Sequence, residues 1–268
     1  MAYLKGPFLF TGSLGNIKSV YNKKLKRYIL STKGGASREL IENSPAFART
    51  RENMNEFKAC GKWASQIRKA LLSINHLNWA NYFSGIVKLG KEIQLHDEGH
   101  PRGFRSIESS KTPFLIPNLN FNRNNPFNSV LSAYPAISIS EDKKTITLSF
   151  PEFNSRKHLH WPNRFNSYRI ALVIAQLPDI VYNEAESDYV PTIRDLEQLS
   201  VTVYTEWLQN TIEPTDICLQ ASFVNPALQQ PGTTVIVAVG IEVSAGLLKP
   251  TDSYTSPQGT MQIVECFV

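Results

Sequence analysis

From Ser44 to Ile74 the chain reads SPAFARTRENMNEFKACGKWASQIRKALLSI, with no proline after Pro45. Phe47, Met54, Phe57, Ala64, Ile67, Leu71 and Ile74 recur three or four residues apart, or at multiples of that spacing, which places them on one face of a single long helix. Ser44 suits the N-cap, and Pro45 suits the first helical position, where its missing N–H costs nothing. At 1.5 Å per residue the rod would be roughly 45 Å long, and the rest of the chain must be arranged around it. Arg49, Glu52, Glu56, Lys62, Arg68 and Lys69 lie off the apolar stripe, whereas Gly61 lies on it. A mid-helix glycine costs about 1 kcal/mol relative to alanine, so close approach of another backbone is expected at Gly61. Cys60 beside it reads as a small buried hydrophobe.

Charge divides the chain unevenly. Residues 1–75 carry 14 Lys/Arg and 4 Asp/Glu, a net +10, and residues 76–268 carry 14 and 19, a net −5. A basic front and a mildly acidic body suit polyanion binding or packing of copies on one another; plain solubilisation is the alternative. With 42% hydrophobic and 19% charged residues, the composition is that of a globular protein. Cys60, Cys218 and Cys266 stand far apart without a CxxC pair, giving no disulfide framework or zinc site and favouring a reducing compartment. The front of the chain lacks a signal-peptide core, and the longest apolar run, Val235 to Ile241, is far too short to cross a membrane. The expected location is the cytoplasm, or a particle assembled there, with a leaderless export route left open.

The coarse organisation is α+β: an N-terminal β-hairpin arm and a long helical hairpin over residues 1–103, a linker over 104–135, and a C-terminal antiparallel β-sandwich of immunoglobulin-like size over 136–268. In the arm, Phe8-Leu9-Phe10 precedes a glycine turn, and Ile17 to Tyr21 and Arg27 to Leu30 flank the polar link Asn22-Lys23-Lys24 as a hairpin. Ser37 caps a short helix to Glu42. A second helix, about Asn78 to Ile93, carries Trp79, Tyr82, Phe83, Ile86 and Ile93 on one side and should fold back on the first. Residues 104–135 are rich in Asn, Pro and Ser without periodicity, and Phe114, Phe121 and Phe127 would tack them to a surface. From Ala136 the pattern becomes period two. Ile137/Ile139, Ile146/Leu148/Phe150, Tyr168 to Ile174, Leu199/Val201/Val203, Ile217 to Phe223, Val235 to Val243 and Ile263 to Phe267 supply seven strands. Val235 to Val243, apolar at nearly every position, should be central, with Cys218 and Cys266 as core residues.

Signals for chemistry are sparse. Neither Lys33-Gly34-Gly35 nor Gly12 to Ser19 has phosphate-loop spacing, and GxSxG and HExxH are absent. His96-Asp97-Glu98-Gly99-His100 and the His158/His160 pair contain metal-ligating types, but no third ligand is indicated by spacing. Glu184, Glu186 and Asp188 lack the glycine and bidentate glutamate of a calcium loop. No cofactor, metal or catalytic residue is therefore assigned, and a non-enzymatic role is expected.

Thr11-Gly12-Ser13-Leu14-Gly15-Asn16-Ile17, Lys33-Gly34-Gly35, Ser44-Pro45-Ala46-Phe47, Arg49-Thr50-Arg51-Glu52-Asn53, Glu56-Phe57 and Arg68-Lys69-Ala70-Leu71 together resemble an uncharacterised family of bacterial, mostly bacteroidete, proteins. Arg102 to Arg105 and Val239 to Glu242 are weaker matches. The resemblance implies an N-terminal module attached to a β body and carries no catalytic residues.

Three functions follow as expectations. The first is a structural or adaptor subunit of a homo-oligomeric or larger assembly, phage- and injection-type particles included, with Arg49, Arg51, Gly61, Lys62 and Arg68 as interface. The second is nucleic-acid binding through Lys18, Lys23, Lys24, Lys26, Arg27, Lys33 and Arg38, with Tyr21 and Tyr28 to stack on bases. Lysines guarding an edge hairpin from aggregation are the plainer explanation of that cluster. The third is a carbohydrate- or peptide-binding sandwich using Trp161, Trp207 or Tyr204 in an exposed groove.

Overall fold

The expected hairpin forms. In the computed structural model, which describes residues 2–3, 5–6, 9–32, 34–79, 81–193, 200–224, 231–245 and 258–268, the chain divides into two compact units, Met1–Arg51 and Glu52–Val268. Lys33, Phe8 and Leu199 lie outside the described residues. The first unit is a four-stranded antiparallel sheet of β1 (Ala2–Tyr3), β2 (Gly12–Leu14), β3 (Ile17–Asn22) and β4 (Arg27–Thr32), ordered β1-β4-β3-β2. Asn22 Oδ1 accepts the N–H groups of Lys24 and Leu25, both at 3.0 Å, and Lys26 takes the positive φ that closes the turn. A short helix α1 (Arg38–Asn43) follows, with Ser37 Oγ accepting the Leu40 N–H at 3.2 Å.

The long helix α2 (Ala48–Ala70) is preceded by a 3-10 turn at Pro45–Phe47 and followed by another at Leu72–Leu77. Ser44 makes no side-chain cap bond. The buried face is Glu56, Ala59, Cys60, Trp63, Ala64, Ile67 and Ala70. Met54 and Phe57, expected on the apolar stripe, are exposed. The stripe is rotated because small residues, which let neighbours approach, set the packing line. Helix α3 (Phe83–Leu95) packs against it, with Glu56 meeting Lys91, Cys60 meeting Gln94 and Trp63 meeting Gly90. The close approach expected at Gly61 occurs at Gly90 instead, where an added Cβ would sit 3.0 Å from the Trp63 ring; at Gly61 it would meet nothing within 4 Å.

Residues 104–135, read as a surface linker, are woven into the interior. Ile107 bridges Ile180, Asn120 bridges Gln262, and Leu131 bridges Leu159. Ile107, Ile116, Phe121, Phe127, Val130 and Leu131 are buried, the last three in or beside the single turn α4 (Phe127–Val130). Lack of periodicity hid this, because each apolar residue is buried singly rather than along a face.

Every strand expected after residue 135 forms where it is described. The strands of this region are β5 (Ala136–Ile139), β6 (Thr145–Phe153), β7 (Ser167–Pro178), β8 (Ile180–Asn183), β9 (Asp188–Pro191), β10 (Ser200–Tyr204), β11 (Leu208–Gln209), β12 (Thr215–Ser222), β13 (Thr233–Ser244) and β14 (Gln258–Phe267), of which β8, β9 and β11 are additional to the seven expected, with a helical turn α5 (Ser155–His158) after β6. A five-stranded antiparallel sheet runs β10-β7-β13-β14 with β11 also beside β7, a three-stranded sheet runs β12-β6-β5, and β8 pairs with β9. Alternation sorts the five-stranded sheet into two faces. Ala171, Val173, Ala175, Ile236, Ala238, Met261 and Ile263 join the helices in one core. Tyr168, Ile170, Leu172, Ile174 and the odd residues Val235 to Val243 join Ile146, Leu148, Phe150, Ile217 and Leu219 of the three-stranded sheet in another. The coarse expectation holds: mixed α and β, several antiparallel sheets, one long helix. Among the described residues no helix is long and apolar enough to cross a membrane.

Candidate functional site

In the four-stranded sheet, residues opposite one another across a pair share a face. Leu14 faces Ile17, Tyr21 faces Tyr28 and Ser19 faces Leu30, so these six residues lie on one side, which is apolar apart from Ser19 and Thr32. Lys18, Val20, Arg27, Ile29 and Tyr3 lie on the other, where the Arg27 guanidinium sits 4.7 Å from the centre of the Tyr3 ring. Ser19 is the one buried residue among the described residues of 1–51, and Leu14 is 71% exposed. Leu14, Ile17 and Tyr21 are exposed around the buried Ser19, and Tyr3 and Val20 are exposed on the other face.

The structure gathers Lys23, Lys24, Lys26 and Arg27 at the hairpin tip, with the Tyr21 and Tyr28 rings 5.0 Å apart behind them. Lys18 lies further back on β3. Arg38 is set apart on α1, paired with Glu42 at 2.7 Å, which holds its guanidinium above the usual range. Of the expected interface residues, Arg51 is committed locally, donating to the carbonyls of Ile41 and Ser44 at 2.7 and 2.8 Å. Arg49 and Arg68 are exposed. Gly61 and Lys62 line an open groove of about 640 Å³ between α2 and the β8–β9 pair, and two lysines of its lining, Lys58 and Lys62, each bind Asp188 at 2.8 Å. Those two lysines hold the Asp188 carboxyl at about 2.

The most organised polar centre was missed from sequence. Glu56, placed off the stripe, is fully buried; its carboxylate accepts two bonds from Arg105 at 2.7 and 3.0 Å, one from Lys91, and the Gly103 N–H at 2.9 Å. Burial pushes this carboxyl up, but Arg105, Lys91 and Gly103 outweigh it and hold it at about 2. Gln94 ties in by accepting from Lys91 and donating to the Arg105 carbonyl at 2.8 Å. Burial pushes the neighbouring Cys60 thiol up to about 11, an unreactive state. The legible signal was phase: Glu56, Cys60, Trp63, Ile67 and Ala70 share one helical line once alanine and cysteine count as core.

The histidines are placed as local structure. His100 Nδ1 bonds Asp97 at 2.8 Å, and Asp97 also accepts the Gly99, His100 and Ser106 N–H groups, pinning the 96–106 loop. His158 ends α5 and takes the Asn154 N–H at 3.1 Å, so it does not share an extended face with His160. No group of three or more His, Cys, Asp or Glu arranged to hold a metal occurs among the described residues. Tyr204 and Trp207 are half-buried and grip the Arg169 guanidinium at 4.4 and 4.9 Å; Arg169 and His76 both bind the buried Glu242, at 2.7 and 2.9 Å. Trp161 packs half-buried against the second core. Comparison with family models, curated proteins and solved structures finds no match to this chain.

Proposed function

We propose that this chain is a non-enzymatic structural subunit that assembles with copies of itself, its first 51 residues being the docking element. The exposed Leu14, Ile17 and Tyr21, with Tyr28 and Leu30 half-buried beside them, carry this reading, since exposed apolar residues clustered on a small sheet call for a partner surface. Charge says what kind of partner. Residues 1–51 hold ten Lys/Arg against two Asp/Glu, a net +8, while residues 136–268 hold eight against fifteen, a net −7. One chain thus carries both halves of a complementary pair, which favours head-to-tail contact between copies. In this reading α2 and α3 act as a helical hairpin, and the five- and three-stranded sheets act as a two-sheet sandwich bearing the acidic surface. The particle would assemble in the cytoplasm. A non-catalytic role is supported by the Glu56 centre, whose carboxylate is taken up wholly by Arg105, Lys91 and Gly103.

Sedimentation velocity of the full chain tests this. The wild type should exceed monomer size at low salt and dissociate at moderate salt, and Leu14→Ser with Tyr21→Ser should dissociate it at low salt. A wild type that stays monomeric at both salts and high concentration overturns the reading.

A second reading, nucleic-acid contact, is favoured by the tip cluster of Lys23, Lys24, Lys26 and Arg27 with the Tyr21–Tyr28 ring pair behind it. It would appear as salt-sensitive retention on DNA that vanishes when Lys23, Lys24 and Arg27 become Glu.

A further inference from the structure

In the second unit, a cleft of about 530 Å³ opens beside β14, between that strand and the segment running from α4 into β5. Its size falls within the roughly 300–1,000 Å³ typical of small-ligand sites. Three side-chain amides line it: Asn118, Asn128 and Gln262. Only 3% of the Gln262 surface is exposed, and it lines the cleft. Water in the cleft serves an amide placed this way, and a ligand group that both donates and accepts can take that water's place. Phe127 and Tyr134 supply aromatic surface, Tyr134 at the rim and 93% exposed. Glu265 is the one charged group in the lining, and no Lys or Arg is present.

We infer that this cleft binds a neutral saccharide. The chemistry selects it by elimination and by fit. Phosphates and other anions would meet a carboxylate with no counter-charge. An amide offers two donors and an acceptor with two lone pairs, matching hydroxyls that both give and take hydrogen bonds. An exposed phenol ring presents an apolar face to the C–H side of a sugar ring, with a polar tip left in water. Gln262 and Asn118 then read vicinal hydroxyls, Glu265 accepts from a further one, and Tyr134 forms the stacking wall. This site is independent of the assembly reading, and it differs from the groove of Trp161, Trp207 or Tyr204 expected from sequence.

Isothermal titration calorimetry of the full chain with cellobiose, maltose, lactose, xylobiose, mannobiose and chitobiose tests the inference. At least one should bind with a dissociation constant of millimolar or below, and Tyr134→Ala and Gln262→Leu should each weaken it about tenfold or more. Tyr134 is exposed, so its variant keeps the fold even if the Gln262 variant does not. Heat from none of the six sugars overturns the proposal, as does binding that survives Tyr134→Ala unchanged.

Discussion

Two antiparallel sheets of this chain stand in opposite situations. In the five-stranded sheet every residue of β13 is buried, and β7 is buried throughout except at Arg169. In the four-stranded sheet Ser19 alone is buried among the described residues. Both are built from β-branched and aromatic residues, so strand propensity does not separate them. Covering surface does. The face of β7 and β13 toward the helices is lined by Ala171, Ala175, Ala238 and Gly240, small enough for Ile74 and Leu77 to come against the backbone. The N-terminal sheet carries Leu14, Ile17, Tyr21, Tyr28 and Leu30, which are exposed or half-buried. The other face of the five-stranded sheet carries large residues and is covered by the three-stranded sheet, so what separates the two sheets is the presence of a covering layer and not residue size.

That contrast breaks first, if it breaks, at Gly259. An added Cβ would lie 2.1 Å from the Ile241 carbonyl oxygen and 2.6 Å from Leu77, both held by the core. Gly259→Ala should therefore cost about 3 kcal/mol or more, or abolish folding, in urea denaturation. A loss below about 1 kcal/mol would mean that the helix side of the sheet is loosely packed and the contrast is false. By comparison, Leu14→Ser should leave the unfolding free energy of the monomer within about 0.5 kcal/mol.

Next in size is the tie at Glu56. Glu56→Gln strips the charge that pairs Arg105 and Lys91 and should cost about 3 kcal/mol at pH 7. Because the folded carboxyl sits at about 2, below its ordinary 4.5, its contribution is fully present above pH 4.5 and fades as pH falls toward 2. Linkage puts that contribution at about 3 kcal/mol. Asp179, whose carboxyl burial pushes up, works in the opposite direction, so the difference between wild type and Glu56→Gln isolates the Glu56 share. Denaturation at pH 7, 4 and 3 should show the two proteins converging; a constant gap would refute the assignment.

The smallest effect sharpens the comparison. Gly61 meets nothing within 4 Å, so Gly61→Ala should stabilise the folded monomer by up to about 1 kcal/mol through helix propensity alone. Destabilisation in the melting curve would show that a neighbour does press on this position.

Local pattern was enough to read seven of the strands after residue 135, the β3–β4 turn and the Ser37 cap, because period-two alternation, turn residues and caps are properties of adjacent residues; the short β8, β9 and β11 carry too little alternation to be read. The amphipathic helix was legible too, but its phase was not. Met54 and Phe57 face solvent while Glu56 is buried, since apolar character announces a wish for cover and cannot say which face receives it. Gln262 was silent for the same reason: an amide in a strand looks ordinary until a cleft opens beside it.

By itself, then, the order of residues determined that the long helix and most of the strands form, how those strands alternate, and that the front carries positive charge and the back negative. Which surfaces meet was left to the tertiary structure. Arg105 and Lys91 reach Glu56 from 49 and 35 residues away, and a buried carboxylate is tolerable only once such distant partners have arrived. Burial is a property of pairs of surfaces, and one stretch of chain holds only half of each pair.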